Sequence, residues 1–370
     1  MRNSKAKSFI TSIFSSAGVT INGDKPFDIQ VINQDFYNRV FRDGQLGLGE
    51  SYVEGWWECD ALDQLIDRLA RIEIKSRISW GLFPNVRSRL FNLQKPSRAF
   101  EVGQKHYDLG NDLFIAMLDK RLNYTCGYWK NATNLDEAQE AKLELVCKKI
   151  NLQPGMAVLE LGCGFGSFAG YAASKYGVKV TGVTVSKRQV ELGMELYKDL
   201  PVELRLEDYR NVQGTYDCVI SIGIMEHVGY KNYRTYMEVV NRTLAENGIA
   251  FIHTIGDNIS QTTTNAWSAK YIFPNSVLPS IAQIGKAMEG LFVMEDWHNF
   301  GPDYDKTLMA WYQNFENAWH NFAKNYSERF HRMWRYYLLT SAGGFRSRRS
   351  QLWQIVMTRP GSSQPVCRLG

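Results

Sequence analysis

From residue 157 onward, short apolar runs alternate with amphipathic stretches. The runs predict strands at 157–161, 179–184, 202–207, 218–222, 249–255, 291–297 and 352–357. Helices are expected between them, at 167–175, 186–197, 230–244, 280–289 and 306–323. Several runs are apolar throughout rather than alternating, which suits strands covered on both faces. Strand and helix in turn imply a doubly wound α/β sheet. Ahead of this block, 135–150 reads as a helix with Asn134 as its cap and an apolar face of Ala138, Ala141, Leu145 and Val146. The front of the chain is patterned differently. Phe27 to Val31 alternates like a strand, Asn33 to Tyr37 opens a helix, and Leu62, Leu65, Ile66, Leu69 and Ile72 share a helical face. We expect two domains, 1–95 and 96–370. Residues 100–130 are polar, tyrosine-rich and irregular, as in a lid over a site. Segment 256–280 has little periodicity, and 308–340 is helical and crowded with rings, a surplus suited to walling an apolar tunnel. Gly343 to Arg349 reads as an interruption before the last strand, either a surface hairpin or a second basic contact.

The chemistry begins where the first strand of that block ends. Residues 157–166 read AVLELGCGFG, so Glu160 is followed by Gly162, Gly164 and Gly166 at alternate positions. Strand, glycine turn and helix let backbone N–H groups approach a cofactor closely. A dinucleotide fingerprint needs G-x-G-x-x-G, and the spacing here is E-x-G-x-G-x-G. A carboxylate before the glycines would repel a pyrophosphate and suits a ligand bearing a cation. This points to S-adenosylmethionine, with Glu160 serving its positive part directly or through water. Ligands in such sheets bind at the carboxyl ends of the strands. Thr184 ends the second strand where an acid commonly takes ribose hydroxyls; Thr184 with Gln189 offers a neutral substitute. Asp208, after the third strand, is placed either for the adenine amine or as a cap on Arg210. Glu226 and His227 follow the fourth strand, and His253 and Ile255 end the fifth, where an acceptor would approach.

Composition narrows the partners. The net charge of +5 and pI near 8.7 permit an anionic surface without the stronger basic face that nucleic acid calls for. Arg71, Lys75, Arg77, Trp80, Phe83, Arg87, Arg89, Lys95 and Arg98 form a basic, aromatic stretch, either a solvated hinge or a docking surface for anionic lipid. The six cysteines show no C-x-x-C pair, which suggests reduced thiols in a cytoplasmic protein. No run reaches the length of a membrane span, so membrane contact is expected to be peripheral. Cys126, Glu226 and His253 lack metal-ligand spacing, and no metal site is expected.

The motifs then carry a resemblance. QDFYNRV at 34–40, GESYVEGWWECDALD at 49–63, HYDLGNDLF at 106–114, YTCGYW at 124–129, VLELGCGFGSFAGYAA at 158–173, GVTVSKRQ at 182–189, GIMEHVG at 223–229, HTIG at 253–256 and NFGPDYDKTLMAW at 299–311 stand in this order. On these pieces the chain resembles the cyclopropane-fatty-acyl-phospholipid synthases along nearly its whole length. The resemblance implies a class I S-adenosylmethionine-dependent methyltransferase fold, Rossmann-like and seven-stranded, with a small N-terminal lipid-docking domain. It implies transfer of a methyl carbon from S-adenosylmethionine to the cis double bond of an unsaturated acyl chain in a membrane phospholipid, closing a cyclopropane ring. It further implies bicarbonate as general base, held by Cys126, Gly223, Glu226, His253, Ile255 through its backbone, and Tyr304; Cys126, Glu226, His253 and Tyr304 are the catalytic set. Tyr107 and Tyr124 would flank the cofactor sulfonium, with Gln104 and His106 as weaker correspondences. A homodimer at the inner face of the membrane is expected from the same likeness. The alternative is methylation of another lipid or a small molecule, giving a methyl-branched product.

Overall fold

The computed structural model describes residues 2–76 and 111–369. Tyr107, Gln104, His106 and the basic stretch from Arg77 to Arg98 lie outside the described residues. The chain divides into two compact units, each discontinuous in sequence.

The larger unit comprises Arg87–Thr262, Asn275–Asp303 and Gln351–Gly370. It is built on a sheet whose strands are β1 (Ala157–Leu161), β2 (Lys179–Thr184), β3 (Val202–Leu206), β4 (Tyr216–Ile222), β5 (Leu244–Asp257), β6 (Val293–Asn299) and β7 (Ser350–Thr358). The strands lie in the order β3-β2-β1-β4-β5-β7-β6, so this is the expected seven-stranded, Rossmann-like sheet. β1 to β5 pair in parallel, and β6 and β7 pair antiparallel. Period-two alternation sorts the side chains of β1. Val158 joins one buried cluster with Val180, Cys218, Ile220 and Phe251, under the helices Leu135–Lys149 and Ser167–Tyr176. Leu159 and Leu161 join the opposite cluster with Val219, Ala250 and Ile252, under the helices Tyr233–Thr243 and Ile281–Met288. Glu160 therefore shares the face of Val158. The Asn134 cap forms as expected, its side-chain oxygen accepting the Glu137 N–H at 3.0 Å.

The other unit comprises Met1–Val86, Thr263–Pro274 and Tyr304–Ser350. The strand expected over 27–31 is shorter, with Gln30–Val31 pairing antiparallel to Trp57–Glu58. Around this ladder lie the helices Arg2–Ser16, Phe36–Val53, Leu62–Ser76, Ala266–Tyr271, Pro302–Phe322 and Glu328–Arg346. Trp57, Trp311, Phe315 and Trp334 are almost fully buried, so part of the ring surplus is ordinary core. Tyr336 packs on Tyr52 and Trp267, with ring centroids 5.3 and 4.6 Å apart.

Gly343 to Arg346 does not interrupt the chain. These residues complete the helix Glu328–Arg346, and the glycines are there for packing. A Cβ on Gly343 would stand 2.5 Å from the Asp63 carbonyl oxygen and 2.9 Å from the Asp67 nitrogen, so two helix backbones meet at a residue without a side chain. Arg346 is not a free basic contact either: its guanidinium lies between Asp63 and Asp305. A paired substitution tests this. Gly343→Ala should lower the melting temperature, with a cost of about 1–3 kcal/mol from overpacking. Gly344→Ala, with open space around its Cβ, should be neutral or add up to about 1 kcal/mol from helix propensity. Thermal unfolding of the two variants gives the comparison.

Candidate cofactor and transfer site

The glycine turn after β1 takes a conformation that side chains resist. Gly162, Gly164 and Gly166 have φ of 72°, 55° and 80°. The N–H groups of Gly162 and Cys163 both donate to the Val183 carbonyl, at 2.9 and 3.0 Å, which draws the turn onto the end of β2. A Cβ on Gly162 would stand 2.9 Å from Ile224 Cδ1. The chain leaves the turn directly into the helix Ser167–Tyr176. Glu160 lies below, buried, with the Ala169 N–H on its carboxyl. Burial pushes its pKa up to about 8 against the pull of Lys142. Among the described residues its Oε2 has no hydrogen-bond partner. A buried carboxyl with one unpartnered oxygen, under a turn of left-handed glycines, fits a ligand that brings a cation.

At the ends of β2 and β3 the polar residues bind one another. Thr184 Oγ1 donates to Gln189 Oε1 at 2.7 Å, and both side chains are buried. Asp208 accepts from the backbone N–H and Nε of Arg210, at 3.0 and 2.8 Å. The cap on Arg210 is thus formed.

Beyond β4 and β5 the acceptor-side groups assemble. Gly223 has φ 76°, and its N–H donates to the His253 carbonyl at 2.8 Å. Met225–Val228 is one turn of helix, so Glu226 and His227 are not on opposite sides of an extended strand. Glu226 Oε1 accepts the Ile255 N–H at 2.6 Å, while among the described residues Oε2 has no partner. Burial lifts the Glu226 pKa to about 7. His253 is buried, and its pKa is driven well below the usual value, first by burial and then by Lys142 and Lys149. Gln354 Nε2 lies 3.4 Å from His253 Nδ1, and Nε2 of the imidazole has no partner among the described residues. The Phe300 ring centroid stands 6.0 Å from that imidazole. The Ile255 N–H and Gly223 N–H are thus engaged within the frame, and among the described residues Glu226 Oε2, His253 Nε2 and Gln354 Oε1 are without partners. Among the described residues no three His, Cys, Asp or Glu side chains group as metal ligands.

The lead-in segment is ordered by side chains that motif reading missed. Cys126 is buried, and the half-buried Tyr124 ring meets Phe114 edge-on at 5.3 Å. Thr125 Cγ2 stands 2.8 Å from where a Gly223 Cβ would be. Lys142 and Gln139, from the helix Leu135–Lys149, hold this strip by hydrogen bonds. The available signal was a lysine lying within the helix's apolar stripe. Tyr304 belongs to the other unit, where it is buried between Phe345 and Trp311, ring centroids 4.6 and 5.9 Å away.

Comparison with known proteins finds relatives along nearly the whole chain. The model of the family described as Mycolic acid cyclopropane synthetase matches residues 94–355. A protein named Cyclopropane-fatty-acyl-phospholipid synthase, from Escherichia coli K12, is 51% identical over 350 residues, covering 94% of this chain and 92% of its own. The solved structure of the cyclopropane synthase MmaA2 from Mycobacterium tuberculosis superposes with a TM-score of 0.67 at 26% identity, covering 73% of this chain and 100% of that one. The mycolic acid cyclopropane synthase CmaA1, solved with SAH and CTAB, gives 0.65 at 30% identity, covering 70% and 98%.

The raised pKa of Glu226 has a measurable consequence. Between its ordinary 4.5 and about 7 the folded protein holds a proton that the unfolded chain releases, so stability falls as pH rises through that window and is level above it. Glu226→Gln removes the effect. In ligand-free protein the variant should match the parent near pH 4.5 and exceed it by about 3 kcal/mol at pH 8. Unfolding at the two pH values checks this, and an equal difference at both would show that the carboxyl ionises in the folded protein as it does in the unfolded chain.

Proposed function

The chain belongs to the mycolic acid cyclopropane synthetase family, and from that premise we propose a phospholipid cyclopropane synthase that uses bicarbonate as its base. It is an S-adenosylmethionine-dependent methyltransferase that moves a methyl carbon to an unsaturated acyl chain and closes a cyclopropane ring. The observation that carries the finer reading is the pair of unpartnered buried atoms, Glu226 Oε2 and His253 Nε2, set in one frame by the Ile255 and Gly223 backbones.

The cofactor supplies an electrophilic methyl carbon, and its transfer to a neutral alkene leaves positive charge on the acyl chain. Ring closure then requires a proton to leave the transferred carbon, and bicarbonate is the acceptor the residues suit. Gly162, Gly164 and Gly166 give close backbone approach, Glu160 faces the cofactor's cation, and Thr184 with Gln189 offers hydroxyl and amide to the ribose. Asp208, beside them, is the candidate for the adenine amine, and Tyr107 and Tyr124 for the sulfonium, since aromatic faces favour a cation. Glu226 and His253 orient the anion: a carboxylate accepts from its O–H, and a neutral imidazole offers N–H or lone pair. Low His253 basicity keeps that ring uncharged, so it neither neutralises the anion nor opposes the developing cation. Cys126 and Tyr304 are the remaining donors in the assignment. Burial keeps bulk water from the cation.

A bilayer substrate also needs a docking surface. Among the described residues no helix is long and apolar enough to cross a membrane. In the smaller unit, Phe9 and Phe41 are 49% and 55% exposed and meet edge-on at 5.4 Å, with Lys7 and Arg42 nearby in sequence. Exposed rings among basic residues suit the headgroup layer of an anionic bilayer. They support peripheral attachment by the front domain; the cytoplasmic face, and a homodimer bringing two such surfaces to one membrane, rest on the family likeness alone.

Two measurements test these readings. Phospholipid mass spectrometry after incubation with S-adenosylmethionine and cis-unsaturated vesicles should show a gain of one CH₂ with loss of the double bond, falling when bicarbonate is stripped. A gain with the double bond kept would favour the methyl-transfer alternative without ring closure, and indifference to bicarbonate would sink the base assignment. Phe9→Ser with Phe41→Ser should reduce co-sedimentation with anionic vesicles several-fold while leaving cofactor binding intact; unchanged sedimentation would move the docking surface elsewhere.

A further inference from the structure

The helix Leu135–Lys149 carries a lysine where its buried stripe calls for a hydrophobe. Lys142 follows Ala138 by one turn and precedes Leu145 and Val146, and it is 1% exposed. An ammonium in such a place is costly without partners. Its Nζ donates to Asn123 Oδ1 at 2.9 Å and to Thr125 Oγ1 at 3.0 Å. Asn123 Oδ1 also accepts from the Ser167 hydroxyl at 2.8 Å, and Ser167 is the first helical residue after the glycine turn. The Asn123 side-chain amide and backbone N–H both donate to Asp119 at 2.8 Å. One turn earlier on the same helix, Gln139 donates to the Thr125 carbonyl at 2.7 Å. Tyr124 is therefore gripped on both sides, and the strip that carries it is tied through Asn123 to the turn that cradles the cofactor.

Both direct acceptors of the ammonium are neutral. The carboxylates that feel its charge are Asp119 and Glu160, and the cation acting on Glu160 is Lys142. The mechanism uses Glu160 and Tyr124 and gives Lys142 no part.

We propose that Lys142 is a positioning residue for cofactor binding, clamping the Asn123–Thr125 strip to the glycine-turn helix and bringing its ammonium within electrostatic reach of the buried Glu160 carboxyl. The proposal rests on Glu160 facing the cofactor's cation. A lysine beneath a cation site looks counterproductive, but an isolated carboxyl this deep would stay protonated and offer the ligand no charge. The Lys142 ammonium shifts that balance.

The other titratable groups around the pair are Asp119, Cys126, Cys147, Cys163, Tyr197 and His253. Burial raises Cys147, Cys163 and Tyr197 and lowers His253, away from neutrality. Burial raises Asp119 as well, and displaces Glu160 and Lys142 itself each to about 8.

Calorimetric titration of the full chain with S-adenosylhomocysteine, from about pH 6 to about 9, separates the outcomes. Wild-type affinity should rise with pH as Glu160 ionises. Lys142→Met should bind about tenfold more weakly near pH 7.5, with its rise displaced upward by about one pH unit or more. Thr125→Val keeps the charge and removes one acceptor, so it should weaken binding a few-fold without moving the rise. Weak binding by Lys142→Met with a wild-type pH profile would reduce Lys142 to a structural role, and affinity within twofold throughout would overturn the proposal. Should Lys142→Met not fold, wild-type affinity in Thr125→Val would overturn the clamp. Glu160→Gln should abolish the rise; if it binds as the parent does at every pH, the Glu160 reading fails separately.

Discussion

Glu160 stands on the middle parallel strands of the sheet, paired to Gly182 on one side and Ile220 on the other, where water cannot reach its charge. An acid there is unfavourable in either protonation state unless neighbours are fixed around it. Much of the site is arranged to fix them. The left-handed glycines bring backbone to its end of the strand, Ala169 lends an N–H, and Lys142 contributes charge from the covering helix. The same logic recurs at Glu226, held by the Ile255 amide with one oxygen left over. Two carboxyls with raised pKa values, one at each end of the site, are a poor arrangement for stability. They make sense where a cationic cofactor and a small anion complete the polar inventory.

How much of this was legible depended on how local each cause is. The strand–turn–helix around Gly162 is dictated within ten residues, and the alternation of elements from 157 onward sufficed for the fold class. Boundaries failed where pairing outran apolar pattern: β5 begins at Leu244, through Ala245, Glu246, Asn247 and Gly248, which carry no strand signal of their own. Gly343 and Gly344 were misread because glycine breaks an isolated helix, whereas here Gly343 makes room for the Asp63 carbonyl of a helix far away in sequence. Arg346 looked like a surface cation because neither Asp63 nor Asp305 is near it in the chain.

The site residues divide the same way. Glu226, His253, Ile255 and Gly223 come together because two adjacent parallel strands end there, which topology makes predictable. Asp208 accepts hydrogen bonds from Arg210, two positions away, a contact that local pattern had offered. Lys142 and Gln139 were passed over since a motif search looks at loops after strands, while these two act from a helix. Their signal is polar side chains on a face whose other members are apolar, and it acquires meaning only when the covered segment is known.

The smaller unit takes its parts from three stretches far apart in the chain. Its helix Leu62–Ser76 packs on Glu328–Arg346, with more than 250 residues synthesised between them, among them six of the seven sheet strands. On a ribosome, the face of the early helix that packs on Glu328–Arg346 must wait until that later helix has emerged. Contacts of such long range are slow to form and leave sticky surface available meanwhile. The last strand, β7, can take its place between β5 and β6 only after the partner helix has been made. A nascent chain interrupted between the two helices would therefore present an unfinished sheet together with an unpaired helix face.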